Sequence, residues 1–137
     1  MTFRFQILTK GNNDIIDITS KVSDLVKKSE VKDGFVLISS PGSTVGITTI
    51  EAEPNLIEDF KEFLEKLVPK NRSYRHDQTW GEANAFSHLR SALIKPFLTM
   101  PIEEGELILG TWQNIVFIDF DNRPREREII VKIISEK

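Results

Sequence analysis

The chain has 137 residues, 18 Lys and Arg against 21 Asp and Glu, a formal charge of -3 and no cysteine. Residues 1 to 137 are the size of one domain, and without cysteine neither a disulfide nor a thiolate metal site can form. No basic stripe interleaves with aromatics, and no apolar run approaches the roughly 20 residues of a membrane span or forms a signal-peptide core. No nucleic acid and no membrane partner is therefore expected, and the expected address is cytoplasmic.

Thr2 to Leu8 alternates Phe3, Phe5 and Ile7 with polar neighbours, the period of a half-buried strand. Ile18, Val22, Leu25 and Val26 then recur at helical spacing, with Thr19 or Ser20 as the cap and Gly34 closing the connection that follows. Phe35 to Ser39 and Ser43 to Glu51 are rich in β-branched residues and read as a strand pair joined by Pro41-Gly42. Between Pro54 and Pro69, Leu56, Ile57, Phe60, Phe63, Leu64, Leu67 and Val68 form one apolar stripe that belongs to the core. A polar loop, Lys70 to Ala83, leads to a shorter helix that Asn84 can cap and Pro96 ends. Strands are expected over Phe97 to Ile102, Leu107 to Phe120 with a break near Gly110, and Arg127 to Ile134, with Asp121-Asn122 as a turn. Ile115 to Ile118 is apolar on both faces. These elements predict an α+β fold with two to three helices and a sheet curled over its own core.

Walker-type, dinucleotide-binding, zinc-helix and calcium-loop motifs are all missing. Gly42-Ser43-Thr44-Val45-Gly46 looks like a nucleophile elbow, but strand-like Ile47-Thr48-Thr49-Ile50 follows where that device needs a helix. What remains is a set of polar side chains. His76 and His88 share a segment with Tyr74, Asp77, Glu82 and Asn84, and on a helix starting near Asn84 the residues Asn84, His88 and Ser91 lie on one stripe. Such a histidine donates to phosphate, handles a proton near neutral pH, binds a metal, or simply bonds to backbone. Arg123, Arg125 and Arg127 alternate, so an extended backbone points them to one side, either to grip a phosphate or carboxylate or to form a solvated edge. Glu51 closes a strand as a base, a metal ligand or a surface charge. Gly110-Thr111-Trp112-Gln113 suits a bulge lined with hydrogen-bonding groups, or a core tryptophan beside a kink.

Tyr74-Arg75-His76-Asp77, Asn84 to Leu89, Pro101 to Gly105, Gly110-Thr111-Trp112-Gln113 and Pro124-Arg125-Glu126-Arg127 together resemble the secondary thiamine-phosphate synthase family over nearly the whole chain. The resemblance implies an α+β domain whose mixed, mostly antiparallel sheet folds into a barrel-like shape, assembled as a homotrimer. It implies a transferase that joins a pyrimidine pyrophosphate to a thiazole phosphate, using magnesium or another divalent metal and no organic cofactor. His88, His76 and Glu51 would then be catalytic and the candidate metal ligands, while Asn84, Thr111, Gln113, Arg125 and Arg127 would bind substrate. Gly42 stands where that family has a histidine, and Ile50 where it has an asparagine. Two other functions stay open: a non-catalytic trimeric binding protein for a small phosphorylated metabolite, and a divalent-metal hydrolase using Glu51, His76, Asp77 and His88.

Overall fold

The structure, a computed structural model, describes residues 1–137. In chain order its elements are β1 (Thr2–Thr9), β2 (Asp14–Asp17), α1 (Thr19–Ser29), β3 (Gly34–Ser39), β4 (Val45–Ile50), α2 (Pro54–Leu67), α3 (His76–Trp80), α4 (Ala85–Ile94), β5 (Phe97–Glu103), β6 (Glu106–Leu107), β7 (Asn114–Asp119) and β8 (Arg125–Ser135). The strands form a five-stranded sheet, β1-β8-β3-β5-β6, and a three-stranded sheet, β2-β7-β4, with every pairing antiparallel. The larger sheet curls into a half-barrel, so the α+β class and the curled sheet expected from the sequence are the observed ones.

Period-two alternation sends Phe3, Phe5 and Ile7 of β1 toward the same core as Val36 and Ile38 of β3 and Ile129, Val131 and Ile133 of β8. Val22 and Val26 of α1 and Ile115 and Phe117 of β7 complete that core. The opposite face of β7 carries Val116 and Ile118, which with Phe120 pack against Leu64 and Phe60 of α2. Two-sided burial is why this strand reads as a continuous apolar run. At roughly 1.5–3 kcal/mol for each fully buried large apolar side chain, β7 is the strand on which both layers depend.

Three expectations about elements need correction. β3 and β4 do not pair with each other. The connection between them crosses from one sheet to the other, tied by Ser40 N–H to Pro96 O at 3.0 Å, Ser40 Oγ to Glu128 O at 2.8 Å and Phe120 N–H to Thr44 O at 2.9 Å. There are four helices, the added one being α3 inside the supposed polar loop, closed by Gly81 in a left-handed conformation. The short strand β2 was not foreseen, because four residues flanked by polar neighbours carry too little periodicity.

The close seat of α4 on β4 positions the candidate site. A Cβ at Gly46 would lie 2.9 Å from both Ile94 Cγ2 and Phe120 Cε2, so only glycine lets the helix approach this far. Ser91 Oγ then donates to Val45 O at 2.6 Å, and Ile47 N–H to Lys95 O at 2.9 Å. Arg90, 2% exposed, pins the outer side of α4 by donating to Val68 O and Asn13 Oδ1.

Candidate functional site

Where β7 ends and β8 begins, two short alternating charge patterns meet. Asp119 and Asp121 are fully buried, and the extended backbone of β8 turns Arg125 and Arg127 toward them. Arg127 grips Asp119 with two bonds, Nε to Oδ2 at 2.8 Å and Nη2 to Oδ1 at 3.0 Å, and Nη2 also donates to Thr44 Oγ1 at 2.7 Å. Asp119 further accepts from Thr9 Oγ1 at 2.6 Å and from the Asp121 N–H at 3.0 Å. Arg125 Nη2 donates to Asp121 Oδ2 at 2.8 Å. Burial opposes the charge of Asp121, but the Asn122 N–H, the Asn84 amide and the Arg125 guanidinium outweigh it and hold the carboxyl below its ordinary range. Both arginines are thus fixed by buried carboxylates and are not a solvated edge.

Asn84 stands at the N-cap of α4, yet its side chain does not cap the helix; its Nδ2 donates to Asp121 Oδ1 at 3.3 Å. One turn on, His88 meets His76 of α3, with ring centroids 4.7 Å apart and planes tilted by 52°. Burial lowers the pKa of His88 and the neighbouring His76 lowers it further, against the opposing pull of Asp121 and Glu82. Both effects favour the neutral imidazole. Asp77 is used up as a staple, accepting from Tyr74 N–H at 3.0 Å and from Ala85 N–H at 3.4 Å.

These groups surround a cleft of ≈ 310 Å³ whose walls include Thr44, His76, His88, Asp121, Arg125 and Arg127. Gly42 is at its edge, where an added Cβ would lie 3.4 Å from Arg127 Nη1. Three buried side-chain atoms of the chain lack a hydrogen-bond partner, His76 Nδ1, Asn84 Oδ1 and Arg125 Nε, and all three belong to residues lining this cleft.

The remaining candidates lie elsewhere. Because Val45 pairs with Asp119 and Ile50 with Asn114, Glu51, Thr111 and Gln113 fall at the opposite end of the three-stranded sheet, roughly 20 Å along the strands. Gln113 clamps its own turn there, with Oε1 accepting from Gly110 N–H at 2.7 Å and Nε2 donating to Thr49 Oγ1 at 3.4 Å. Thr111 is exposed, and Trp112, 71% exposed, is no core residue. Within one chain Glu51 does not join His76 and His88, and no group of three His, Cys, Asp or Glu is arranged to hold a metal.

Sequence reasoning missed Thr44, Asp119 and Asp121, having taken the last as a turn former. The signal was present in the sequence: two acids at alternate positions close a buried strand, and two arginines at alternate positions open the next.

The family described as UPF0047 protein YjbQ-like matches residues 3–136. UPF0047 protein MJ1081 of Methanocaldococcus jannaschii is 41% identical over 100% of this chain and 96% of its own length, and UPF0047 protein YugU of Bacillus subtilis is 34% identical over 95% and 96%. The crystal structure of a YbjQ-like protein of unknown function from Sulfolobus solfataricus superposes with a TM-score of 0.90 at 32% identity, covering 99% of both chains. These matches correct the resemblance to secondary thiamine-phosphate synthases, since they carry neither thiamine phosphate nor a transferase activity. Several residues of the blocks behind it, Gln113, Asn84 and Arg127, are bonded within the chain, and a fold does not by itself specify a reaction.

Proposed function

This chain belongs to the UPF0047 protein YjbQ-like family, and from its cleft we propose that it binds a small phosphorylated metabolite. The observation that carries this reading is the convergence on one cleft of Arg125 and Arg127, each held by a buried carboxylate, with Thr44, His76 and His88. Arg125 and Arg127 donate to the carboxylates and Thr44 through Nε and Nη2, and neither Nη1 donates within the chain. A phosphate monoester offers a tetrahedral set of acceptor oxygens that suits donors arriving from β8, α4 and the connection before β4. A flat carboxylate would satisfy one fork only.

The buried acids fix both guanidiniums, so binding requires little rearrangement. The His76 and His88 rings form one wall of the cleft, and the lowered pKa of His88 favours the neutral imidazole, the form that accepts a proton.

Titration calorimetry with inorganic phosphate tests the reading on the native chain and on Arg125→Ala. Saturable binding is expected for the native chain, weakened about tenfold or more in the variant, the size of one lost charge-assisted contact. Circular dichroism establishes that the variant remains folded. Equal affinity in the two chains, or no binding to the native one, would overturn the proposal.

A further inference from the structure

The cleft changes character from floor to rim. Thr44 and Asp121 at its floor are buried, whereas Ser43, Trp80 and Glu82 at its rim are exposed, and Trp80, 70% exposed, is the only apolar side chain that lines it. The indole belongs to a stretch that the fold barely holds. No residue from Lys70 to Ala83 is buried or packed on either apolar core, whereas Asn84 to Ser87, directly after them, are all buried. The start of α3 is moored by the contact between the His76 and His88 rings and by the bonds to Asp77. From Gln78 to Ala83, the only hydrogen bond that leaves the stretch and its own helix is Asn122 Nδ2 to Glu82 O at 3.0 Å. Segments with so little buried contact open at the low end of a protein's stability range.

We infer that residues 78–83 form a lid that closes over the bound phosphate, with Trp80 as the side chain that seals it from water. The inference rests on the phosphate-binding reading and adds how that site is completed. Pivots are in place. Gly81 has φ +71, and a Cβ there would meet nothing within 4 Å, so the chain has room to swing, while Ala83, φ 53, turns where burial begins. A ligand moves a segment only through interactions that differ between its two positions, and here two neighbouring side chains differ in sign. The Glu82 carboxylate repels an arriving phosphate, and the Trp80 indole N–H donates to one. Rotation at Gly81, between them, withdraws the first as it brings in the second. With water displaced from the rim, the attraction of Arg125 and Arg127 for the anion strengthens.

Trp80 and Trp112 are the two tryptophans of the chain, and Trp112 lies near the far end of the three-stranded sheet, so Trp112→Phe leaves Trp80 as the sole indole. This variant is titrated with inorganic phosphate, following heat by calorimetry and the acrylamide quenching of Trp80 emission. Quenching is expected to fall about threefold along the calorimetric binding curve as the indole leaves water. In the chain carrying both Trp112→Phe and Arg125→Ala, the same fall should need about tenfold more phosphate. Phosphate binding seen as heat with unchanged quenching would overturn the lid and leave the proposed function standing. No binding by either readout would overturn both.

Discussion

The two ends of the β2-β7-β4 sheet both carry hydrogen-bonded polar side chains and have been put to different use. At one end Asp119, Asp121, Arg125, Arg127 and Asn84 are mostly hidden from water and bonded to one another. At the other, Gln113 and Asn114 bond to Gly110, Thr49 and Ala52, nearby backbone and a neighbouring hydroxyl, in exposed surroundings. A polar group near water can exchange partners freely, whereas a buried one depends on those the fold supplies. The buried end carries the cleft lined by Arg125, Arg127, His76 and His88, and it is therefore the end that can reward a ligand.

The sharpest way to break this contrast is to remove one buried acid. In Asp119→Ala the Arg127 guanidinium loses both of its bonds to that carboxylate, and Thr9 Oγ1 and the Asp121 N–H lose an acceptor. A loss of about 3–5 kcal/mol is expected, the cost of stranding one partner of a buried ion pair. Urea unfolding should show it as a lowered midpoint with unchanged slope. A loss near 1 kcal/mol, the usual size for a single exposed neutral hydrogen bond, would mean that burial does not separate the two ends.

A smaller effect concerns the histidine pair. Because the folded pKa of His88 lies below its ordinary value of about 6.5, the folded chain prefers the neutral imidazole. Above that pH both folded and unfolded chains hold it neutral, and its contribution to stability is complete. As pH falls toward the folded value, the unfolded chain takes up a proton that the folded chain resists, and the contribution is lost. Imidazole proton resonances followed against pH should give His88 a midpoint below 6.5 that rises in His76→Asn, where one of the two lowering causes is gone. An unmoved midpoint would show that the rings do not sense each other.

Much of the scaffold was legible because it is periodic. The stripe from Leu56 to Val68, the alternation in β1 and the two-sided run Ile115 to Ile118 each declare their element without tertiary information. The strand pairing of β4 was not legible. Pro41-Gly42 looks like a hairpin turn, and only the bonds to Pro96, Glu128 and Phe120 carry the chain across to the other sheet. In the site, Asn84 with His88 and Arg125 with Arg127 could be read from helical and extended spacing. The carboxylates could not be assigned, since Asp121-Asn122 also fits an ordinary turn and only the fold of β8 brings Arg127 back onto Asp119. Glu51, Thr111 and Gln113 were placed with the histidines because sequence order does not report which end of a strand a residue occupies.

The smallest expected effect bears most directly on whether the two ends act apart. Gln113→Ala removes a clamp roughly 20 Å from the arginines, so inorganic phosphate affinity should change by less than about twofold, with the loss confined to the Gly110 to Gln113 turn. Glu51→Ala should be equally silent. If either weakens phosphate binding as strongly as Arg125→Ala, the far end of one chain must complete the cleft of another, the arrangement a homotrimer would allow. Thr111 and Trp112, both exposed at that end, would then face the neighbouring copy. Sedimentation of the native chain, run beside the titrations, decides between these outcomes: a monomer with silent Gln113 keeps the ends independent, and an oligomer with a sensitive Gln113 joins them.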